Sequence, residues 1–158
     1  MRKSLVYILT VVCIAALICM MIALSVTGKP KQAPFVPPDF DASAMEGTPN
    51  VPQELDWQEL DAQVFTVGIC GVVLPRGNTA DLWLTNPKEN QVWLKVRVLD
   101  SYGTILGETG LLRPGEYVQS VVLRSVPEAG AEITLKIMAY EPDSYHSAGA
   151  VTLHTKIS

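Results

Sequence analysis

The feature that most limits what this chain can become is an unbroken apolar run, "LVYILTVVCIAALICMMIALSV", at residues 5 to 26. Twenty-two residues wound as a helix extend about 33 Å, the thickness of a bilayer's hydrocarbon core. A cleaved signal has an apolar region of only about 7 to 15 residues, followed by a small-residue site. Ala23-Leu24-Ser25 imitates such a site only weakly, and it comes after a full spanning length. Lipid attachment is disfavoured too, because bulky Val12 and Ile18 precede Cys13 and Cys19. The run therefore predicts a single-pass transmembrane helix at 5 to 26, behind a basic tail at 1 to 4. Arg2 and Lys3 on one side nearly balance Lys29 and Lys31 on the other. The short basic tail ahead of a long apolar run is the pattern of a signal-anchor, with the amino end cytoplasmic and the rest extracytoplasmic. Ala15, Cys19 and Ala23 recur every four residues, a candidate helix–helix face for a homodimer.

Residues 27 to 52 hold Pro30, Pro34, Pro37, Pro38, Pro49 and Pro52 among small and polar residues, the composition of a linker. Such a segment reaches roughly 80 Å as polyproline and about 27 Å as a coil, so whatever follows stays near the bilayer. Phe35, Val36 and Phe40 are its apolar exceptions and are candidates to dock on a partner. The next segment, 53 to 62, predicts a short helix or an extended piece packed on the following domain. Pro52 would begin the helix, and Leu55, Trp57 and Leu60 would form its apolar side.

From residue 63 the hydrophobic period becomes two, that of a half-buried strand. In "QVWLKVRVLD" Val92, Leu94, Val96 and Val98 share one side, and Trp93, Lys95 and Arg97 the other. "ITLKIMAY" places Ile133, Leu135, Ile137 and Ala139 inward, with Thr134, Lys136, Met138 and Tyr140 outward. "VTLHTKI" turns Val151, Leu153 and Ile157 inward. Weaker strands are expected at 63 to 73, 80 to 85, 104 to 108 and 116 to 123; the last has valines at both parities and leaves its faces open. "PRGN", "NPKEN", "DSYG", "RPGE", "PEAG" and "EPDSYHSAG" are turn chemistry between them. Seven such strands without an intervening helix predict an all-β antiparallel sandwich over 63 to 158, a partly open barrel being the alternative.

The hairpin "DSYG", the turn "LRPG" and a strand closing on "VVL", followed by "AEITLKIMAY" and a last strand, carry a resemblance. The segment 63 to 157 resembles immunoglobulin-like or fibronectin-III-like modules of single-span Gram-positive surface proteins. That resemblance implies a seven-stranded immunoglobulin-like sandwich serving as a non-catalytic spacer or binding domain. The paired cysteines of antibody domains are lacking, and no binding residues carry over.

Charge and chemistry narrow the function. All sixteen acidic residues but only ten of the twelve basic ones follow the apolar run, which argues against nucleic acid as a partner. Cys70 is the only cysteine beyond it, so that part forms no internal disulfide. The two histidines, His146 and His154, fall in no metal-binding or catalytic spacing, nor is there a phosphate loop or nucleophile elbow. No cofactor or catalytic residue is expected. A site from Cys70 with both histidines, or calcium held by Asp100, Glu141 and Asp143, is the weaker alternative. In an immunoglobulin-like topology the third, sixth and seventh strands are neighbours, and their outward side would present Trp93, Met138, Tyr140 and His154 as a partner surface. The expectation is a membrane-anchored, non-enzymatic binding or assembly module that meets another envelope protein or a wall component. The alternative is an accessory or degenerate subunit of an envelope enzyme with a loop-based site.

Overall fold

The computed structural model describes residues 2–26 and 35–158, and the chain divides into two compact units, Met1–Val36 and Pro37–Ser158. In the first, Arg2–Val26 form one α-helix of 25 residues, α1, with side chains described at 3, 4, 6 to 8 and 11 to 21. Among the described residues no helix is long and apolar enough to cross a membrane. Ala15 and Cys19 are exposed on α1, whereas the Ala23 side chain and residues 27 to 34 of the expected linker lie outside the described residues.

The second unit is β throughout. Its strands are β1 (Met45–Glu46), β2 (Trp57–Asp61), β3 (Thr66–Cys70), β4 (Leu74–Arg76), β5 (Thr79–Thr85), β6 (Trp93–Asp100), β7 (Ile105–Glu108), β8 (Glu116–Val122), β9 (Glu132–Tyr140) and β10 (Ser147–Lys156). One antiparallel sheet runs β1-β8-β5-β3-β2 with β4 beside β5; the other runs β10-β9-β6-β7. Their facing sides share a core of Val67, Ile69, Leu82, Leu84, Leu94, Val96, Val98, Leu135 and Ile137, all inaccessible to solvent. The result is a β-sandwich-like fold.

All seven segments read as strands are strands, and three short ones, β1, β2 and β4, join them. The first expected strand is trimmed to Thr66–Cys70, because the chain reverses just before it: Gln63 adopts φ 65° and Ala62 N–H donates to Phe65 O at 2.9 Å. The helix expected over 53 to 62 is a single 3-10 turn, Gln53–Leu55. Asp56 enters the left-handed region at φ 49° and stops it, and the next five residues pair with β3 from Trp57↔Cys70 to Asp61↔Thr66. A helix of under three turns is marginal alone, whereas this ladder also turns Leu60 onto the core.

The ambiguity of 116 to 123 has a structural answer. The β5–β8 ladder slips by one residue between the pairs Asp81↔Ser120 and Leu84↔Val118, where Trp83 takes φ 48°. Such a bulge lets Val118 pair with Leu84 and Val121 with Ala80 on the core side, and leaves Val122 63% exposed.

Candidate functional site

The expected neighbours β6, β9 and β10 do lie side by side, and the outward residues read from them sit on one sheet. Trp93 pairs with Tyr140 and Lys95 with Met138, so these aromatic and methionine side chains are together. Tyr140 donates its hydroxyl to the Met138 sulfur at 3.7 Å, and Met138 is 9% exposed. His154 is not with them. It pairs with Thr134, six positions along β9 from Tyr140 or about 20 Å, and the Thr134 hydroxyl lies 3.1 Å from its Nδ1.

The Trp93 end of this surface is covered by the protein itself. Phe40 meets Trp93 edge-on at 4.8 Å between ring centroids, Tyr145 flanks it at 5.2 Å, and the Arg113 guanidinium stands 3.6 Å over the Phe40 ring. A strap around Phe40 is tied down at both backbone and side chain. Asp41 N–H donates to Leu111 O and Leu111 N–H to Asp39 O, each at 2.9 Å, while Gly110 N–H donates to the Asp41 carboxylate at 2.8 Å. Gly110 permits this approach, since a Cβ there would stand 2.4 Å from Asp41 N. Phe40, expected as a docking residue of the linker, thus docks on its own domain.

Next to Trp93 on this side, Glu108 bridges two cations, Lys95 at 3.3 Å and Arg97 at 2.8 Å. Partial burial raises the Glu108 pKa, but the Arg97 hydrogen bond and the Lys95 charge outweigh it and hold the carboxyl below its ordinary value. These charges answer one another.

The residues weighed for chemistry are dispersed. Cys70 is fully buried, and its thiol is pushed up to about 12, first by burial and then by the carboxylates of Asp81 and Asp56. A thiol so far from ionising is a poor nucleophile. Buried Asp81 is itself 3.1 Å from Arg76 Nε, an ion pair without hydrogen-bond alignment. Asp100 accepts the Tyr102 and Thr104 N–H groups and caps its turn, and those bonds, the one from Thr104 foremost, lower its pKa. Glu141 accepts the Ser144 hydroxyl at 3.0 Å. Among the described residues no three His, Cys, Asp or Glu side chains converge as metal ligands would.

A different site is built on the opposite sheet, as an open cleft of about 720 Å³ whose wall includes Glu46, Thr48, Pro49, Trp57, Glu59, Lys88, Glu89 and Pro114. Its aromatic element is Trp57, set by strand period on the outward side of β2 together with Glu59. The indole is fixed in two ways. Nε1–H donates to Trp83 O at 3.2 Å, a carbonyl that the bulge in β5 carries, and the ring lies directly on Gly68, where a Cβ would be 2.1 Å from Cζ2. Behind the cleft, fully buried Asn86 anchors the β5–β6 loop that carries Lys88 and Glu89. Its Nδ2 donates to Val92 O at 2.8 Å and Leu112 O at 3.0 Å, and its Oδ1 accepts from Asn90 at 2.7 Å.

Reading the sequence for motifs missed this cleft because it is assembled from four separate segments. The one signal available was the alternation in "DWQELDA", which puts Trp57 and Glu59 on one face of a strand. No family model matches the chain, and no curated protein is significantly similar to it.

Proposed function

We propose that this chain is a non-catalytic binding or assembly module tethered to a membrane, and that the cleft over Trp57 is where it meets its partner. The observation that carries this reading is the cleft itself: a concavity of about 720 Å³ on an outer sheet face, with an aromatic ring held in place by a hydrogen bond. The apolar run at 5 to 26, helical throughout, is the proposed anchor, with the amino end cytoplasmic and the linker to residue 52 keeping the β-unit close to the bilayer. The side-by-side arrangement of β6, β9 and β10 supports an immunoglobulin-like or fibronectin-III-like module, extended by the short strands β1, β2 and β4. The partner is another envelope protein or a wall component.

Affinity purification of the full chain from detergent-solubilised membranes tests the function. A stoichiometric partner lost on Trp57→Leu is the expected outcome. Recovery as a bare monomer, or a partner retained by Trp57→Leu and lost on Trp93→Glu, would refute the reading. Protease added to intact cells should remove residues 63 to 158, and their protection would reverse the orientation.

A further inference from the structure

We propose that the cleft over Trp57 takes a lysine or arginine side chain of a partner protein; this rests on the binding-module reading above and names the ligand chemistry of that site. The six-membered ring of Trp57 packs on Gly68, where an added Cβ would stand 2.1 Å from Cζ2, and the indole N–H is spent on Trp83 O. What the half-buried ring offers the cleft is therefore its remaining π-surface, without a hydrogen-bond donor. The face of an indole attracts a cation more strongly than that of any other aromatic side chain.

The charges around the ring are unbalanced in the direction that suits a cation. Glu46 of β1 stands directly across the ladder from Glu116 of β8, an opposition of like charges that by itself destabilises a sheet. Arg113 relieves only one of them: its backbone N–H and its guanidinium both bind Glu116, at 2.6 and 3.3 Å. Among the described residues Glu46, Glu59 and Glu89 make no ion pair, and Lys88 is the one cation lining the cleft that is outside an ion pair. An arriving ammonium or guanidinium would stack on Trp57 and relieve the carboxylates of the cleft wall that Arg113 does not answer. A neutral sugar could stack on the ring but would leave them unrelieved, and an anion would be repelled. The wall is also prepared for a ligand, because Pro49, Pro87 and Pro114 give three of its segments a fixed φ. The strong acidic excess beyond residue 26 would add attraction at long range.

The test uses the full chain, isotopically labelled, in uncharged detergent micelles. The indole N–H resonance of Trp57 is followed and identified by its loss in Trp57→Phe, with Trp93 as the internal control. Tetralysine amide and tetraarginine amide should move the Trp57 resonance saturably and leave Trp93 in place, and tetraglutamine, tetraglutamate and an N-acetylglucosamine trimer should not. Glu59→Gln and Glu46→Gln should each weaken tetralysine binding three- to tenfold. Glu128→Gln, an equal loss of charge on an exposed loop away from the cleft, should change it less than twofold. Equal weakening by Glu59→Gln and Glu128→Gln would overturn the proposal, since the attraction would then be a general one. A shift by the saccharide and not by the cationic peptides would overturn the ligand class and leave the binding cleft standing. A Trp57 resonance that none of these probes moves would overturn this proposal, while the module reading would still be judged by the partner recovered from membranes.

Discussion

Gly68→Ala is the sharpest test of how the cleft is built. Gly68 sits in the middle of β3, opposite Glu59 on one side and Thr85 on the other, so its backbone is held by two ladders. The added methyl would stand 2.1 Å from Trp57 Cζ2 and 2.8 Å from Cε2. Ordinary carbon contact begins near 3.4 Å, so the ring must lift by about 1.3 Å, and the 3.2 Å bond from Nε1 to Trp83 O does not survive that. Overpacking costs about 1–3 kcal/mol and the lost hydrogen bond about 1 kcal/mol, while replacing a strand glycine returns about 0.5–1 kcal/mol. The net expectation is a loss of about 1–3 kcal/mol, or a melting temperature lower by roughly 4 °C per kcal/mol for a unit of this size. Thermal melts of the full chain measure the loss, and the Trp57 indole resonance reports the broken bond. In a Trp57→Ala background the same change should be neutral or slightly stabilising, a coupling above about 1 kcal/mol. A glycine change that costs the same with and without the indole would refute the account.

Phe40→Ala should cost about 1–2 kcal/mol, a fraction of the roughly 3–5 for a fully buried phenylalanine, because the ring is half-buried. Hydrogen exchange should show the Asp41 and Leu111 amides losing protection while β9 keeps its own, and unchanged protection at Leu111 would mean that the strap does not depend on the ring. Asn86→Ala takes the side-chain donor from the Val92 carbonyl and one of two donors from the Leu112 carbonyl, which keeps the Leu94 N–H, for a loss of about 1–3 kcal/mol in urea unfolding; an unchanged stability would contradict its role as an anchor. Cys70 has a raised folded pKa, so the stability it contributes is complete below its unfolded value of about 9 and drains away as pH climbs from there toward about 12. Stability should therefore fall more steeply above pH 9 in the native chain than in Cys70→Ala, and parallel curves would contradict the burial of the thiol.

Strand alternation is a local signal, and where it was strong it survived into the fold. Leu94, Val96 and Val98, and Ile133, Leu135 and Ile137, face the core as their spacing requires, because period two leaves an amphipathic strand only one way to bury its apolar side. Neighbouring β6, β9 and β10 were expected only through the immunoglobulin-like resemblance, and the sheet places them side by side. Segment 53 to 62 was harder, because its apolar residues fit a short helix as well as a strand, and only pairing with β3 decides between them. The outward valine of β8 depended on a slip in the ladder, centred on Trp83 in a different strand.

The sites diverge most from what the sequence alone conveys. The sequence by itself determined which residues of β6 and β9 point away from the core, but not that Phe40, 53 positions before Trp93, would lie on that side and cover its aromatic end. It determined that Trp57 and Glu59 share a face, but not that Glu46, Lys88 and Glu89 would gather around them. Local periodicity records the direction of a side chain relative to its own backbone. What stands in front of that side chain depends on contacts between segments distant in the chain, and only the packed tertiary structure decides those.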